Sequence, residues 1–267
     1  MHPVLLQTNY FTINTFWVFF IFAILTATFL LIKFAPKQGL KINFFSQNFW
    51  KFFLVAFLGA RIGGIIENYH TYFSTFQLND LMQVFFLWDK GYNIWIGVIC
   101  FIVYLFWKCK KTEQSFLKWL DLLAPILVVT FGIIALGSFF DGTAYGNETS
   151  LPWGVNFESP AIKYTVPIHP SQIYSFLYSG LLVIAIFLFQ DSKKFNQLNF
   201  NGLLGLSTIS IYSILKFLEE CTRGDDTWTI LGIRISQIFF PLLAIISGVF
   251  IFLLYNKRTK KPQKKSN

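Results

Sequence analysis

Seven apolar stretches, separated by loops that are alternately rich and poor in lysine, constrain this chain more than any other feature. They run near Thr12–Ile32, Phe49–Ile66, Tyr92–Trp107, Phe116–Phe139, Ile173–Phe189, Leu203–Phe217 and Ile235–Tyr255. Sixteen of the 22 basic residues fall in one set of loops: Lys33, Lys37, Lys41 and Lys51 after the first stretch, Lys108, Lys110, Lys111 and Lys118 after the third, Lys193 and Lys194 after the fifth, and six from Lys257 to Lys265 in the tail. The other six, Arg61, Lys90, Lys163, Lys216, Arg223 and Arg234, lie in or beside the opposite set. Because cytoplasmic loops carry the excess of Lys and Arg, the pattern predicts an all-α integral membrane protein with seven transmembrane helices, its N-terminus outside and its C-terminus cytoplasmic. Function is then expected on the outer face, since the cytoplasmic loops are short and carry little beyond topology charge.

Composition fits this reading. A chain that is 54% hydrophobic and only 13% charged is poorer in charge than a soluble domain, and seven spans in 267 residues leave little for a second one. One polytopic membrane domain over residues 1–267 is expected, with outer loops at 67–91, 140–169 and 218–234 and a basic cytoplasmic tail at 256–267. The net charge of +9 would suit nucleic acid, but it is concentrated where it orients the chain and meets anionic headgroups, so a membrane partner is expected and nucleic acid is not. The first stretch lacks a basic leading region and a small-residue cleavage site, so it is expected to stay in the mature protein. Cys100, Cys109 and Cys221 are separated by the topology and read as free thiols. Neither a cofactor nor a metal site is expected.

Imperfections in the spans mark where chemistry can sit. The 16 residues of Tyr92–Trp107 cover about 24 Å, short of a ~30 Å hydrocarbon core, so this helix is expected to borrow residues from Asp89–Gly91 or to abut a thinned site. Gly59, Gly63 and Gly64 permit either close helix contact or local unwinding. Arg61 sits among them. A charge inside a span costs at least ~2.5–3.5 kcal/mol, so Arg61 must snorkel, pair with an acid or face a wet cavity, and its planar guanidinium suits a phosphodiester. Asp121 reads as an acid near a helix N-terminus, where the dipole favours it.

The outer loops hold most of the polar content. About thirty residues between the fourth and fifth spans are rich in Gly, Pro, Asn and Ser yet carry Tyr145, Trp153, Phe157 and Tyr164, which suggests an ordered lid or binding loop. Between the sixth and seventh spans, Lys216, Glu219, Glu220, Arg223, Asp225, Asp226 and Arg234 form the densest charge cluster, readable as a mutually paired network or as a substrate site.

Six segments in order, FLGARIGGIIENY, LWDKGYNIWIG, LDLLAPILVVTFGIIALGSFFDGTAYG, LPWGV, HPSQIY and IYSILKFLEECTRGDD with ISQ after it, resemble the bacterial prolipoprotein diacylglyceryl transferases over most of the chain. The resemblance implies seven spans in the bacterial cytoplasmic membrane. It also implies transfer of diacylglyceryl from phosphatidylglycerol to the lipobox cysteine of a lipoprotein precursor, with release of glycerol phosphate. The partners it implies are thus a phospholipid and a lipoprotein precursor or signal segment.

There are departures from the family pattern. Its Arg–x–Gly–Asn–Phe–x–Asn–Gly–Glu signature falls on residues Ala135 to Thr143, and the arginine position is Ala135. The histidine that precedes a Gly–Gly pair in the third span falls at Trp95. The first-span tyrosine falls within Phe16–Phe20, and the glutamate after the HPxQLY motif is Ser175. Matching positions imply His169 and Tyr212 as catalytic, and Arg61, Asp141, Gln172, Tyr174, Lys216 (in place of an arginine), Glu220 and Arg223 as lipid-binding. His169 is the one histidine in a candidate motif and could deprotonate a thiol; otherwise it is a helix-entry residue before Pro170. The leading expectation is a diverged transferase, and the alternative is an inactive homologue that binds phospholipid or a signal segment, as part of a complex or alone.

Overall fold

The computed structural model describes residues 3–8, 12–73, 91–157, 162–190, 192, 198 and 200–259. Among them, seven helices of at least 18 residues follow the seven apolar stretches: α1 Thr15–Phe34, α2 Phe49–Glu67, α3 Ile94–Lys111, α4 Phe116–Asp141, α5 Ser171–Gln190, α6 Leu203–Glu220 and α7 Ile235–Thr259. Five of these, α1, α2, α4, α5 and α7, are long and apolar enough to cross a membrane. The remaining two, each 18 residues long, carry three charges apiece: Lys108, Lys110 and Lys111 in α3, and Lys216, Glu219 and Glu220 in α6. The chain divides into two compact units, Lys41–Phe116 and Met1–Leu40 with Leu117–Asn267.

In the Lys41–Phe116 unit, α2 and α3 lie in close contact. The glycines of α2 make this approach possible: a Cβ on Gly64 would lie 2.1 Å from the carbonyl oxygen of Gly91, and one on Gly63 would lie 2.7 Å from Ile96. The helix stays unbroken through Gly59, Gly63 and Gly64, so close contact, and not unwinding, is what they provide. Helix α3 opens at Ile94 and does not borrow Gly91, while Asp89 and Lys90 lie outside the described residues. The Asn93 side chain accepts from the backbone N–H of Trp95 (3.0 Å) and Ile96 (3.1 Å), which caps the helix and stops it there. The helix lengthens at its other end, through Lys108–Lys111, where cations suit the dipole, and its 18 residues reach about 27 Å.

In the larger unit, a hairpin of Val4–Gln7 with Thr12–Asn14 precedes α1, so the first three residues of the first apolar stretch are extended and the helix opens at Thr15. Phe19 of α1 stacks on Phe140 of α4 at 5.4 Å between ring centroids. Asp121 is an acid at a helix N-terminus, but of a neighbouring helix. From α4 its carboxylate accepts from the N–H of Gly202 (2.6 Å) and Gly205 (2.7 Å) at the start of α6, whose own cap position, Gly202, has no side chain to do so. Helix α6 also packs along α5 and α7, with Ser210 Oγ donating to Ala244 O. Ile245 and Phe252 of α7 are each 63% exposed, leaving the kind of apolar surface that a bilayer covers.

Candidate functional site

The functional residues of the larger unit gather where α4, α5 and α6 give way to loops. Beyond α4 the chain turns through Gly142 and Ala144, both at positive φ, and then folds over a small core of Tyr145, Phe157, Ile162 and Ile168. Three segments are stitched there by backbone hydrogen bonds. Gly146 N donates to His169 O, His169 N to Asn147 O, Asn147 N to Thr222 O, and Gly224 N to Tyr145 O, all within 3.0 Å. A Cβ on Gly146 would lie 2.4 Å from His169, so glycine is required for this approach.

The HPSQIY segment supplies side-chain anchors from the start of α5. Ser171 Oγ donates to Ala144 O and Gln172 Nε2 to Thr143 O, both at 2.6 Å. The Tyr174 hydroxyl accepts from the Trp153 indole N–H (2.8 Å) and lies 3.1 Å from His169 Nδ1. The described part of the loop is therefore held against α5, and its Trp153 orients the histidine–tyrosine pair.

The charge cluster is a mutually paired network, continuous from α6 to the start of α7. The Lys216 ammonium lies 2.5 Å from Glu219 Oε1 and 3.9 Å from Glu220 Oε1. Both oxygens of Glu220 are held by guanidinium groups, Oε1 by Arg223 and Oε2 by Arg234 (3.1 Å each), and Oε2 also accepts from Ser236 Oγ (2.6 Å). Asp225 takes a two-point contact from Arg223 and a 2.8 Å contact from Arg234. Burial works to raise the Asp225 carboxyl, but Arg223 and then Arg234 outweigh it and hold it below the usual carboxylate range. Burial likewise opposes charge on Arg223, and Asp225 with Glu220 keeps it firmly protonated. Glu219 also accepts, at Oε2, from the Tyr178 hydroxyl of α5 (2.6 Å), which contacts Ser175 Oγ on its other side (3.1 Å).

Most of the residues expected from sequence converge here. His169, Gln172 and Tyr174 lie on one side, and Lys216, Glu220 and Arg223 belong to the network. The Tyr212 ring is buried between Phe131 (6.0 Å) and Tyr178 (5.8 Å). Asp141 closes α4 half-buried and makes no ion pair among the described residues. Arg61 lies in the other unit, buried, with its guanidinium over the rings of Tyr72 and Tyr92 and Nη1 donating to Gly91 O (3.1 Å). Trp95 is in the first turn of α3, and Ala135 is in α4. Glu219 belongs to the charge cluster and Trp153 to the loop that the sequence marks out, but their contacts with Tyr178 and Tyr174, and Tyr178 itself, are not singled out there. Tyr178 lies one turn after Ser175 on α5, a spacing that could have flagged it, whereas the Trp153 contact crosses a loop and leaves no signal in the sequence.

Five helices of membrane-spanning length and apolarity, with an ionic network and a histidine–tyrosine pair at one end of α5 and α6, define a helical membrane protein with a polar site. Residues 3–254 match the family model for prolipoprotein diacylglyceryl transferase, and the chain belongs to that family. It is 31% identical over 255 residues to the phosphatidylglycerol–prolipoprotein diacylglyceryl transferase of Clostridium tetani, covering 94% of this chain and 97% of that one. It is 30% identical over 209 residues to the protein of that name from Polynucleobacter necessarius, covering 76% of each. The protein of that name from Bordetella avium is 26% identical over 262 residues, covering 97% of this chain and 96% of that one.

Proposed function

We propose that this chain transfers the diacylglyceryl group of phosphatidylglycerol to the lipobox cysteine thiol of a prolipoprotein, as a multi-pass protein of the bacterial cytoplasmic membrane. In this reading it has seven spans, with the site on the outer side. The observation that carries it is the folded HPSQIY segment: in a chain of this family, its histidine and tyrosine face each other at 3.1 Å beside the ionic network. With Nδ1–H donated to Tyr174, His169 Nε2 is left basic and takes the thiol proton. The thiolate then attacks the glycerol carbon, the carbon–oxygen bond breaks, and the electron pair leaves on the phosphate. Lys216 and Arg223 receive that developing charge, with Gln172, Tyr174, Glu220 and Asp141 as the other lipid-binding residues of this unit and Tyr212 as the second catalytic one. Arg61 is a headgroup ligand within its own unit.

Purified protein with phosphatidylglycerol and a lipobox peptide should release glycerol phosphate. It should do so more slowly than a relative carrying the full signature, because losing one preorganised electrostatic partner costs ~10²–10³ in rate and Ala135 and Trp95 replace two. His169→Ala should lower the remaining rate by ~10²–10⁴. Absence of any release would refute the transferase reading, and an unchanged rate in His169→Ala would remove His169 from the mechanism. A second reading, a lipid- or signal-binding homologue without catalysis, is favoured by one observation: each cation of the network already faces a carboxylate.

A further inference from the structure

The network of Lys216, Arg223 and Arg234 against Glu219, Glu220 and Asp225 holds three cations and three carboxylates, and is therefore charge-neutral as it stands. Its members are buried or nearly so: the side chains of Lys216, Glu219 and Glu220 are at most 8% exposed, and those of Arg223, Asp225 and Arg234 at most 15%. An anion that enters such a cluster leaves one negative charge in excess, and an uncompensated charge in a buried site is strongly penalised. Something must give way, and the geometry shows which group can. Glu220 and Asp225 are each gripped by two guanidinium groups, whose rigid forks match a carboxylate. Glu219 has no guanidinium contact among the described residues. Its cationic partner is Lys216, a rotatable point charge that already has a second carboxylate 3.9 Å away.

We propose that a phosphate-bearing lipid headgroup binds by drawing Lys216 off Glu219, and that Glu219 takes up one proton as it does so. The proton bonds to the Glu219 oxygen that Lys216 vacates, the lipid anion replaces the lost negative charge, and the network stays neutral. The charged and titratable groups around Glu219 allow this. Lys216, Glu220 and Tyr212 share its helix, Tyr178 faces it from α5, and Arg223 follows α6. Tyr178, backed by Ser175, keeps a hydrogen bond to Glu219 in either protonation state, since phenol and carboxylic acid can each donate. The pair thus acts as an internal stand-in for the ligand. It favours headgroups with net negative charge, because a zwitterionic headgroup brings no excess charge to offset.

This inference rests on Lys216 as a headgroup ligand but not on turnover, so it is tested by binding. The full-length protein, in nanodiscs of phosphatidylcholine, is titrated with phosphatidylglycerol between pH 5.5 and 8.5. Affinity should fall as pH rises, by at most about tenfold per pH unit, the limiting slope for one linked proton. In Glu219→Gln the slope should vanish and binding at pH 7.5 should tighten. A weakly buffered indicator dye should report one proton taken up per phosphatidylglycerol bound by the unaltered protein and none when extra phosphatidylcholine is added. A flat pH profile in the unaltered protein, the same slope in Glu219→Gln, or no proton uptake would overturn the proposal. Linked binding without glycerol phosphate release would instead refute the transferase reading and leave this one standing. Soluble glycerol phosphate at saturating concentration should give no linked uptake; if it does, the site belongs to the free phosphate and not to the lipid.

Discussion

At the scale of single residues, contact distance decides what each position tolerates. Gly64 faces the backbone of Gly91, and backbone has nowhere to go, so Gly64→Ala forces α2 and the 91–93 segment apart and should cost ~1–3 kcal/mol. A lower midpoint in thermal unfolding of the detergent-purified protein would record this, and an unchanged midpoint would show that the two segments part freely. Tyr174 works differently, by orientation. It holds His169 at Nδ1 and is itself held by Trp153, so its hydroxyl fixes which imidazole nitrogen is presented. The GAR, HPSQIY and FLEE segments were visible in the chain as strings, but the strings did not show that Glu219 pairs with Lys216 and Tyr178. Two of those three are three residues apart on one helix, yet the third comes from α5, and that crossing depends on how α5 and α6 pack.

Helix α6 is shaped at both ends by contacts from elsewhere. Its start is capped by Asp121 of α4, and its end is tied through Glu220 to Arg223, Arg234 and Ser236. The second tie fastens the short hairpin of Thr229–Ile230 with Ile233–Arg234 to the helix end, with Asp225 at the centre. The Asp225 carboxyl is held below its ordinary range in the folded state, so the unfolded state binds the proton more readily. Its contribution to stability is therefore complete above the unfolded value of about 3.9 and is lost as pH falls through the folded value beneath it. Hydrogen exchange across Trp228–Ile235, corrected for intrinsic rates, should stay constant from pH 7 to about 5 and accelerate only below about 4. Asp225→Asn should already exchange faster at pH 7 and lose that acid-dependent change. Identical profiles for the two proteins would show that the clasp does not depend on this carboxylate.

At the scale of the whole molecule, lysine distribution makes the topology testable. In intact cells, a cysteine placed at Asn147 should react with an impermeant thiol reagent, while cysteines at Ser192 or just after Lys257 should not; the reverse pattern would invert the orientation. The sequence by itself determined the helical class, the positions of the seven helices to within a few residues and the family, because apolar runs and interspersed charges are local properties that survive in one dimension. It could not decide which of two roles a residue with two chemically sensible uses would take. The α2 glycines could unwind or pack, and their contact with Gly91 and α3 settled it; Asp121 could serve its own helix or another, and the bare cap of α6 settled that. Likewise, the charged run after Lys216 could be an open anion site or a closed network. Electrostatic neutrality of a buried cluster is a property of three-dimensional proximity, so only the packing of α5, α6 and the segment that leads into α7 could show that its charges are already matched.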